Sequence, residues 1–160
     1  MQIQQIECYV LNVPLVTAFK TALRTVEQVQ DLVVVISAAD LQGYGEAAPT
    51  LAITGESLAS MYFVVEQVLK PKLIGKSLLD FNQLLQIVQT SVVGNSSAKA
   101  AVEIALFDLK AQIAGLPLYQ LLGGGQTTLS TNLTISVNDT ATMIKDAQSA
   151  VVQGYRQLKI

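Results

Sequence analysis

Histidine is absent from all 160 residues, and Cys8 is the only cysteine. The first absence removes the commonest general base and the commonest zinc ligand. Any acid–base chemistry in this chain therefore falls to Lys, Glu, Asp, Tyr or Cys. A single cysteine excludes a disulfide framework and fits a reducing compartment, so a cytoplasmic setting is expected. Charge is sparse too: charged residues make up 14%, the formal net charge is −2, and the 10 basic residues are scattered. That gives no footing for a nucleic-acid partner. No apolar run reaches the roughly 18 residues of a membrane helix. The N-terminus MQIQQIECYV lacks the basic start and long apolar stretch of a secretion signal, so none is expected.

Apolar surface, by contrast, is plentiful. Hydrophobic residues make up 51%, enough for a sizeable core and too many for disorder. A chain of 160 residues has room for one ordinary domain, or for one small domain plus part of another.

The longest stretch with one unambiguous conformation is GNSSAKAAVEIALFDLKAQIAGLPLYQLLGGG, Gly94 to Gly125. Ser97 is placed to cap a helix, and no Gly or Pro interrupts until Gly115 and Pro117. Ala98, Ala101, Val102, Ala105, Leu106, Leu109 and Ile113 recur at helical spacing, and Ile104 and Phe107 widen the stripe. A helix apolar on more than half its girth must be wrapped by other elements. Gly115 fits its C-terminal cap, and Pro117 starts a short second helix through Leu122.

Before this helix, the pattern predicts a strand from Gln2 to Val13 that ends at Pro14. A basic, threonine-containing loop from Leu15 to Thr25 follows, then a strand from Val26 to Ala38. A turn at Asp40 to Gly43 leads to a short strand from Tyr44 to Ala47, giving an antiparallel meander. Two helices are then predicted, one capped by Thr54 or Gly55 and stopped at Leu69 before Pro71, the other from Leu78 to Val92. After Gly125 the period changes. A strand from Leu129 to Val137, a helix capped by Asp139 or Thr140 that runs to about Gln153, and a strand from Arg156 to Ile160 make a βαβ unit. Two parallel strands cannot cover both faces of a sheet, so either a partner supplies the rest or the chain is a fragment of a longer protein. The fragment is expected.

Several motifs have bland explanations. Gly43-Tyr44-Gly45-Glu46-Ala47-Ala48 fits G-x-G-x-x-A, but Pro49 and antiparallel neighbours deny it the helix N-terminus that a dinucleotide needs. Ser96-Ser97-Ala98-Lys99 matches S-x-x-K, yet no K-T-G follows and capping explains the serines. Glu103, Asp108 and Lys110 read as the wet edge of a buried helix rather than as paired acids with a base. Lys20 and Arg24 lie four apart in their loop, and two readings stand. They form a solvated loop, or a lid that offers a cation to an anionic substrate. Lys159, Thr134 and Ser136 fall near the C-terminal ends of parallel strands, where active sites of such folds gather. A residue 161 would share the face of Lys159.

The ordered set FKTALR (Phe19 to Arg24), GYGEAAP (Gly43 to Pro49), ITGE (Ile53 to Glu56), SAKAAVEIALFDLKAQ (Ser97 to Gln112), LPLYQLLGG (Leu116 to Gly124) and LTISVND…GYRQLKI (Leu133 to Ile160) resembles the enolase superfamily. Within it, the resemblance is to the muconate-lactonizing subgroup and, inside that, to dipeptide epimerases of the L-Ala-D/L-Glu type. It covers nearly the whole chain. The implied fold class is α+β, a three-stranded antiparallel meander plus helical bundle as a capping domain, followed by the first βαβ of a modified (β/α)7β TIM-like barrel. Residues 1–125 would be the cap and 126–160 the start of the barrel.

The resemblance also implies chemistry. In the family's K-x-K motif Lys159 matches the first lysine, and the second, the proton-transferring base, would fall at 161. The carboxylates that bind Mg²⁺ would also lie outside this chain, which leaves no metal ligand among its residues. Removing a proton alpha to a carboxylate builds an enediolate whose charge needs stabilisation as it develops, and the resemblance implies a Lys base working with Mg²⁺ to provide it. A lysine base needs a lowered pKa, from desolvation or neighbouring cations. Lys159 would then be catalytic and substrate-binding, Arg24 would pair with the carboxylate of a terminal Glu, and Thr134 and Ser136 would contact the dipeptide. The alternatives are another activity of the subgroup (cycloisomerase, o-succinylbenzoate synthase, N-acylamino acid racemase) or a non-catalytic cap-like binding module. The expected partner is a small-molecule dipeptide, with no nucleic acid and no membrane, and the full-length protein is expected to form a homo-oligomer.

Overall fold

Strands β1 (Gln5–Lys20), β2 (Thr25–Ala38) and β3 (Leu41–Ala47) form one antiparallel sheet in the order β1-β2-β3. They belong to a computed structural model that describes residues 1–125 and 128–160. The chain divides into two units, Met1–Asn12 with Gln30–Gly124 and Val13–Val29 with Gly125–Ile160. The boundary expected at 126 falls outside the described residues.

The meander stands, with different limits. β1 continues through Pro14 to Lys20, because it is an edge strand, where a residue without an N–H is tolerated. The expected Leu15–Thr25 loop therefore shrinks to a turn at 21–24. Between β2 and β3 the register runs from Leu32↔Ala47 to Ala38↔Leu41, so the turn is only Ala39 and Asp40. Ala39 takes φ 51°, the left-handed conformation that two-residue hairpin loops need, and β3 starts at Leu41 rather than Tyr44.

In the first unit, Leu32, Val34, Ile36 and Ala38 alternate inward along β2 and pack with Ile3, Ile6, Met61, Val65, Leu69, Leu84, Val102, Leu106 and Leu109. The helices are α1 (Leu51–Thr54), α2 (Leu58–Phe63), α3 (Lys70–Leu73), α4 (Phe81–Thr90), α5 (Ser96–Ile113) and α6 (Leu118–Leu121). Ser57, not Thr54 or Gly55, opens α2, through a reciprocal pair of hydrogen bonds with Ser60. The helix does not stop at Leu69 before Pro71 as expected. A π-helical segment, Val64–Leu69, joins α2 to α3, and the Lys70 N–H reaches back five residues to the Val65 carbonyl. Proline clashes with the carbonyl four residues back, and a widened turn is the usual way for a helix to change its bonding frame locally. Ser77 opens the next segment by accepting from the Leu79 N–H; a 3-10 turn at Leu78–Asp80 precedes α4.

α5 is the expected long helix. Its small face lies on β3: a Cβ at Gly45 would collide with the Ala101 carbonyl oxygen, and one at Gly43 with that of Ala105. The G-x-G pair thus exists for close helix–strand contact, not for a nucleotide. Asp108 accepts the Tyr44 N–H at 3.0 Å, and Gln112 Nε2 donates to the Gln42 carbonyl at 2.7 Å. Side chains of α5 thereby satisfy backbone groups on the strand's edge. Ile104 (42% exposed) and Ile113 (49%) face outward, so the apolar stripe is narrower than expected. Alanines on the strand side let the backbone come near, and bulkier residues beside them fill the core. At the end of α5 the Leu116 N–H bonds to the Ala111 carbonyl and the Gly115 N–H to that of Gln112, with Gly115 at φ 66°. This is a Schellman closure.

The cap at the other end is not Ser97. Asn95 occupies the capping position in a left-handed conformation, and its side chain donates to the Val93 carbonyl rather than capping the helix. The carboxylate of Glu56, 5% exposed, accepts from the Ser97 N–H (3.0 Å), the Ser97 hydroxyl (2.7 Å) and the Ala98 N–H (3.4 Å). Burial, the largest influence, pushes the Glu56 pKa up; the bonds from Ser97, Ala98 and Ser96 outweigh it and hold the carboxyl below its ordinary value. A carboxylate at a helix N-terminus also faces the positive end of the helix dipole.

Gly45→Ala should lower the stability of this unit by about 3 kcal/mol, at the upper end of overpacking costs, read as a fall in the urea midpoint. Gly125→Ala, whose Cβ meets open space, should change stability by less than about 0.5 kcal/mol. Glu56→Gln should cost roughly 2 kcal/mol at pH 7. Because the folded pKa lies below the unfolded one, this stabilisation is full above the unfolded value of about 4.3 and fades as pH falls through the folded one. Urea midpoints of wild type and Glu56→Gln should therefore converge in acid.

Candidate functional site

In the second unit, β1 and β2 meet at a tight turn, Thr21-Ala22-Leu23-Arg24, built by one hydroxyl. Thr21 Oγ1 accepts the N–H of Leu23 (3.2 Å) and of Arg24 (3.1 Å) and donates to the Arg24 carbonyl (3.2 Å). The Thr21 N–H bonds to the same carbonyl at 2.9 Å. A threonine at the head of a turn favours this geometry. Arg24 is exposed, and among the described residues its guanidinium has no hydrogen-bond or ion-pair partner.

The same unit holds β4 (Leu133–Thr134), α7 (Thr140–Val152) and β5 (Leu158–Lys159), with β4 and β5 parallel. The βαβ unit is as expected, but its strands are shorter than Leu129–Val137 and Arg156–Ile160. Among the described residues each has only the other to pair with, and a ladder reaches no further than its partner. Asp139 caps α7 by accepting from the Thr142 N–H (3.0 Å) and hydroxyl (2.6 Å). These bonds, led by the Thr142 hydroxyl, hold its carboxyl below the ordinary value.

Thr134 is in register with Lys159, and the Ile135 N–H donates to the Lys159 carbonyl at 2.9 Å. Paired residues share a face and neighbours alternate. Ile135 is buried, whereas Thr134 and Lys159 are exposed and share a face; Ser136 lies past the end of β4 and is half-buried. The structure thus brings Thr134 and Lys159 together as neighbours. Lys159 is exposed, and no hydrogen bond joins Arg24 to either of them among the described residues.

The end of β1 docks on the segment after β4. The Lys20 N–H donates to Ser136 Oγ at 3.3 Å, the Val137 N–H to the Lys20 carbonyl at 3.0 Å, and Lys20 Nζ to Asn138 Oδ1 at 3.2 Å. Sequence reasoning had no hold on this contact. Its partners lie 116 and 118 positions apart, and neither Asn138 nor Thr21 stands out by composition.

Other ionisable groups have structural work. Lys99, 9% exposed, donates to the Gln89 carbonyl at 2.9 Å while Ser96 turns to Glu56, so the S-x-x-K pair does not meet. Lys110 sits 4.1 Å over the Phe81 ring, and Glu103 accepts from Gln89. The Glu46 carboxyl is pushed up by its hydrogen bond to Asp31, then by burial and the charge of Asp31. Burial, followed by the charge of Glu66 and a hydrogen bond to it, pushes the Cys8 thiol up to about 12. Among the described residues no group of three acidic, Cys or His side chains gathers where a metal could be held. No helix among them is long and apolar enough to cross a membrane.

The N-terminal domain model of the mandelate racemase / muconate lactonizing enzyme family matches residues 5–123. The chain belongs to that family. The L-Ala-D/L-Glu epimerase of Bacillus subtilis is 48% identical over 161 residues, covering 100% of this chain and 44% of the relative. The substrate-liganded structure of the L-Ala-D/L-Glu epimerase from B. subtilis superposes with a TM-score of 0.96 at 47% identity, over 100% of this chain and 45% of that one. A dipeptide epimerase from Cytophaga hutchinsonii, complexed with Mg and D-Ala-L-Val, gives 0.91 at 37% identity, over 100% of this chain and 44% of that one. The chain thus spans less than half the length of these relatives.

With its thiol held near 12, Cys8 should alkylate with iodoacetamide at pH 8 more than about 100-fold slower in the folded protein than in urea. Equal rates, followed by mass spectrometry, would remove the burial and the Glu66 contact as its controls.

Proposed function

We propose that this chain is the N-terminal portion of a Mg²⁺-dependent dipeptide epimerase, with residues 1–125 as its capping domain and 126–160 as the start of its barrel. The observation that carries this reading is the face shared by Thr134 and Lys159 in the unit that also holds Ser136 and the Arg24 turn. The names of the relatives support the substrate class.

The reaction inverts the alpha carbon of the dipeptide's C-terminal residue by moving a proton off one side and onto the other. An ammonium at Lys159 suits an oxygen of the substrate's alpha-carboxylate, where negative charge grows as the proton leaves. The fork of Arg24 suits the side-chain carboxylate of a Glu residue, bidentately. Thr134 and Ser136 supply hydroxyls to the peptide. Mg²⁺, bound in the solved relatives from C. hutchinsonii and Enterococcus faecalis, belongs to this reading as a cofactor held outside these 160 residues. The same reading includes a cytoplasmic, homo-oligomeric enzyme.

The complete gene product, incubated with L-Ala-L-Glu in heavy water, should place one deuterium on the Glu alpha carbon and yield L-Ala-D-Glu, and EDTA should abolish both. Lys159→Ala should lower kcat by about 1,000-fold, on the scale of a lost electrostatic stabiliser. Arg24→Ala should lower kcat/KM for L-Ala-L-Glu about 100-fold and that for L-Ala-L-Ala much less. No label with wild type would refute the epimerase. Unchanged dipeptide turnover in Arg24→Ala would favour another activity of the subgroup.

A further inference from the structure

Lys20 and Asn138 have no part in the chemistry described so far, yet they join its pieces. Two backbone-level bonds, from the Lys20 N–H to Ser136 Oγ and from the Val137 N–H to the Lys20 carbonyl, seat the end of β1. The third, from Lys20 Nζ to Asn138 Oδ1 at 3.2 Å, is the only one of the three made between two side chains. On one side of this joint, Thr21 follows Lys20 and its hydroxyl fixes the backbone of Arg24. On the other, Ile135 bonds to the Lys159 carbonyl and Thr134 lies in register with Lys159. Hydrogen-bonded residues therefore run without a break from Arg24 through Thr21, Lys20, the 136–138 segment and Ile135 to Lys159.

We propose that Lys20 and Asn138 are positioning residues, a latch that keeps the Thr21–Arg24 turn in register with the Thr134–Lys159 face so that Arg24 meets the anionic side chain of the substrate in place. The inference rests on the proposed epimerase reading for its substrate, though the latch itself does not. Asn is suited to the task. Its amide oxygen accepts a charge-assisted bond and leaves the Lys20 charge in place, so the joint holds without becoming a fixed ion pair. Misplacing a binding group by about 1 Å is enough to cost much of its effect.

The test uses the complete gene product and two readouts. In Asn138→Ala and Lys20→Met, KM for L-Ala-L-Glu should rise about tenfold, the scale of one charge-assisted hydrogen bond, while kcat moves less and KM for L-Ala-L-Ala stays put. Lys20→Arg should restore most of the loss. Asn138→Asp, which turns the contact into an ion pair, should lower KM instead. Hydrogen exchange without substrate should show faster exchange of the Lys20, Arg24 and Val137 amides in Asn138→Ala. Faster exchange with an unchanged KM for L-Ala-L-Glu would overturn the positioning role. Unchanged exchange would overturn the latch, whatever the kinetics. If wild type turns over no dipeptide, the epimerase reading fails and exchange alone sustains or removes the latch.

Discussion

The carbonyls of Ala101 and Ala105 lie so close to the backbone of β3 that Gly45 and Gly43 admit no Cβ. The first unit is built around that contact. Dispersion falls off steeply with distance, so a helix that touches strand backbone directly gains contacts that a helix held off by side chains would lose. The near approach also puts Asp108 and Gln112 within reach of the Tyr44 N–H and the Gln42 carbonyl. An edge strand is thereby partly covered without a fourth strand. Such a contact tolerates little sliding, and Glu56 secures the helix's free end from a loop.

In the second unit the same economy recurs at smaller scale. The Thr21 hydroxyl makes the turn, Asp139 makes the start of α7, and Lys20 makes the joint to the segment after β4. The Thr21 hydroxyl and the Asp139 carboxylate satisfy backbone N–H groups that would otherwise compete for water, whereas the Lys20 ammonium meets a side chain. Arg24, Thr134 and Lys159 are exposed, and among the described residues the Arg24 guanidinium has no hydrogen-bond or ion-pair partner, which suits a group whose task is to meet a charged ligand.

Membership in the mandelate racemase / muconate lactonizing enzyme family accords with the resemblance read from the ordered motifs. Among the described residues no three acidic, Cys or His side chains gather as a metal-binding group, and in the proposed enzyme Arg24 and Lys159 would meet the anionic groups of the substrate. Cys8, Lys99, Glu103 and Lys110, which a list of reactive residue types would include, are occupied in packing, capping and pairing.

The meander, the long helix, its glycine closure, the Asp139 cap and the βαβ order were legible because each is written in a few neighbouring residues: a period of two or 3.6, a capping side chain, a glycine that can turn left-handed. Where local rules competed, they erred. Pro14 and Pro71 read as ends because proline lacks a donor, yet an edge position and a widened turn absorbed them. Ser97 read as its own cap, but a carboxylate 41 positions away took the amides. The seat of Lys20, 116 to 118 positions from its partners, was beyond any such rule. Sequence alone determined which elements form and in what order, since those depend on short-range periodicity and sterics. Tertiary structure alone decided which polar groups answer one another across the chain, because a hydrogen bond needs its partners within about 3 Å, and only the folded path of the backbone brings them there.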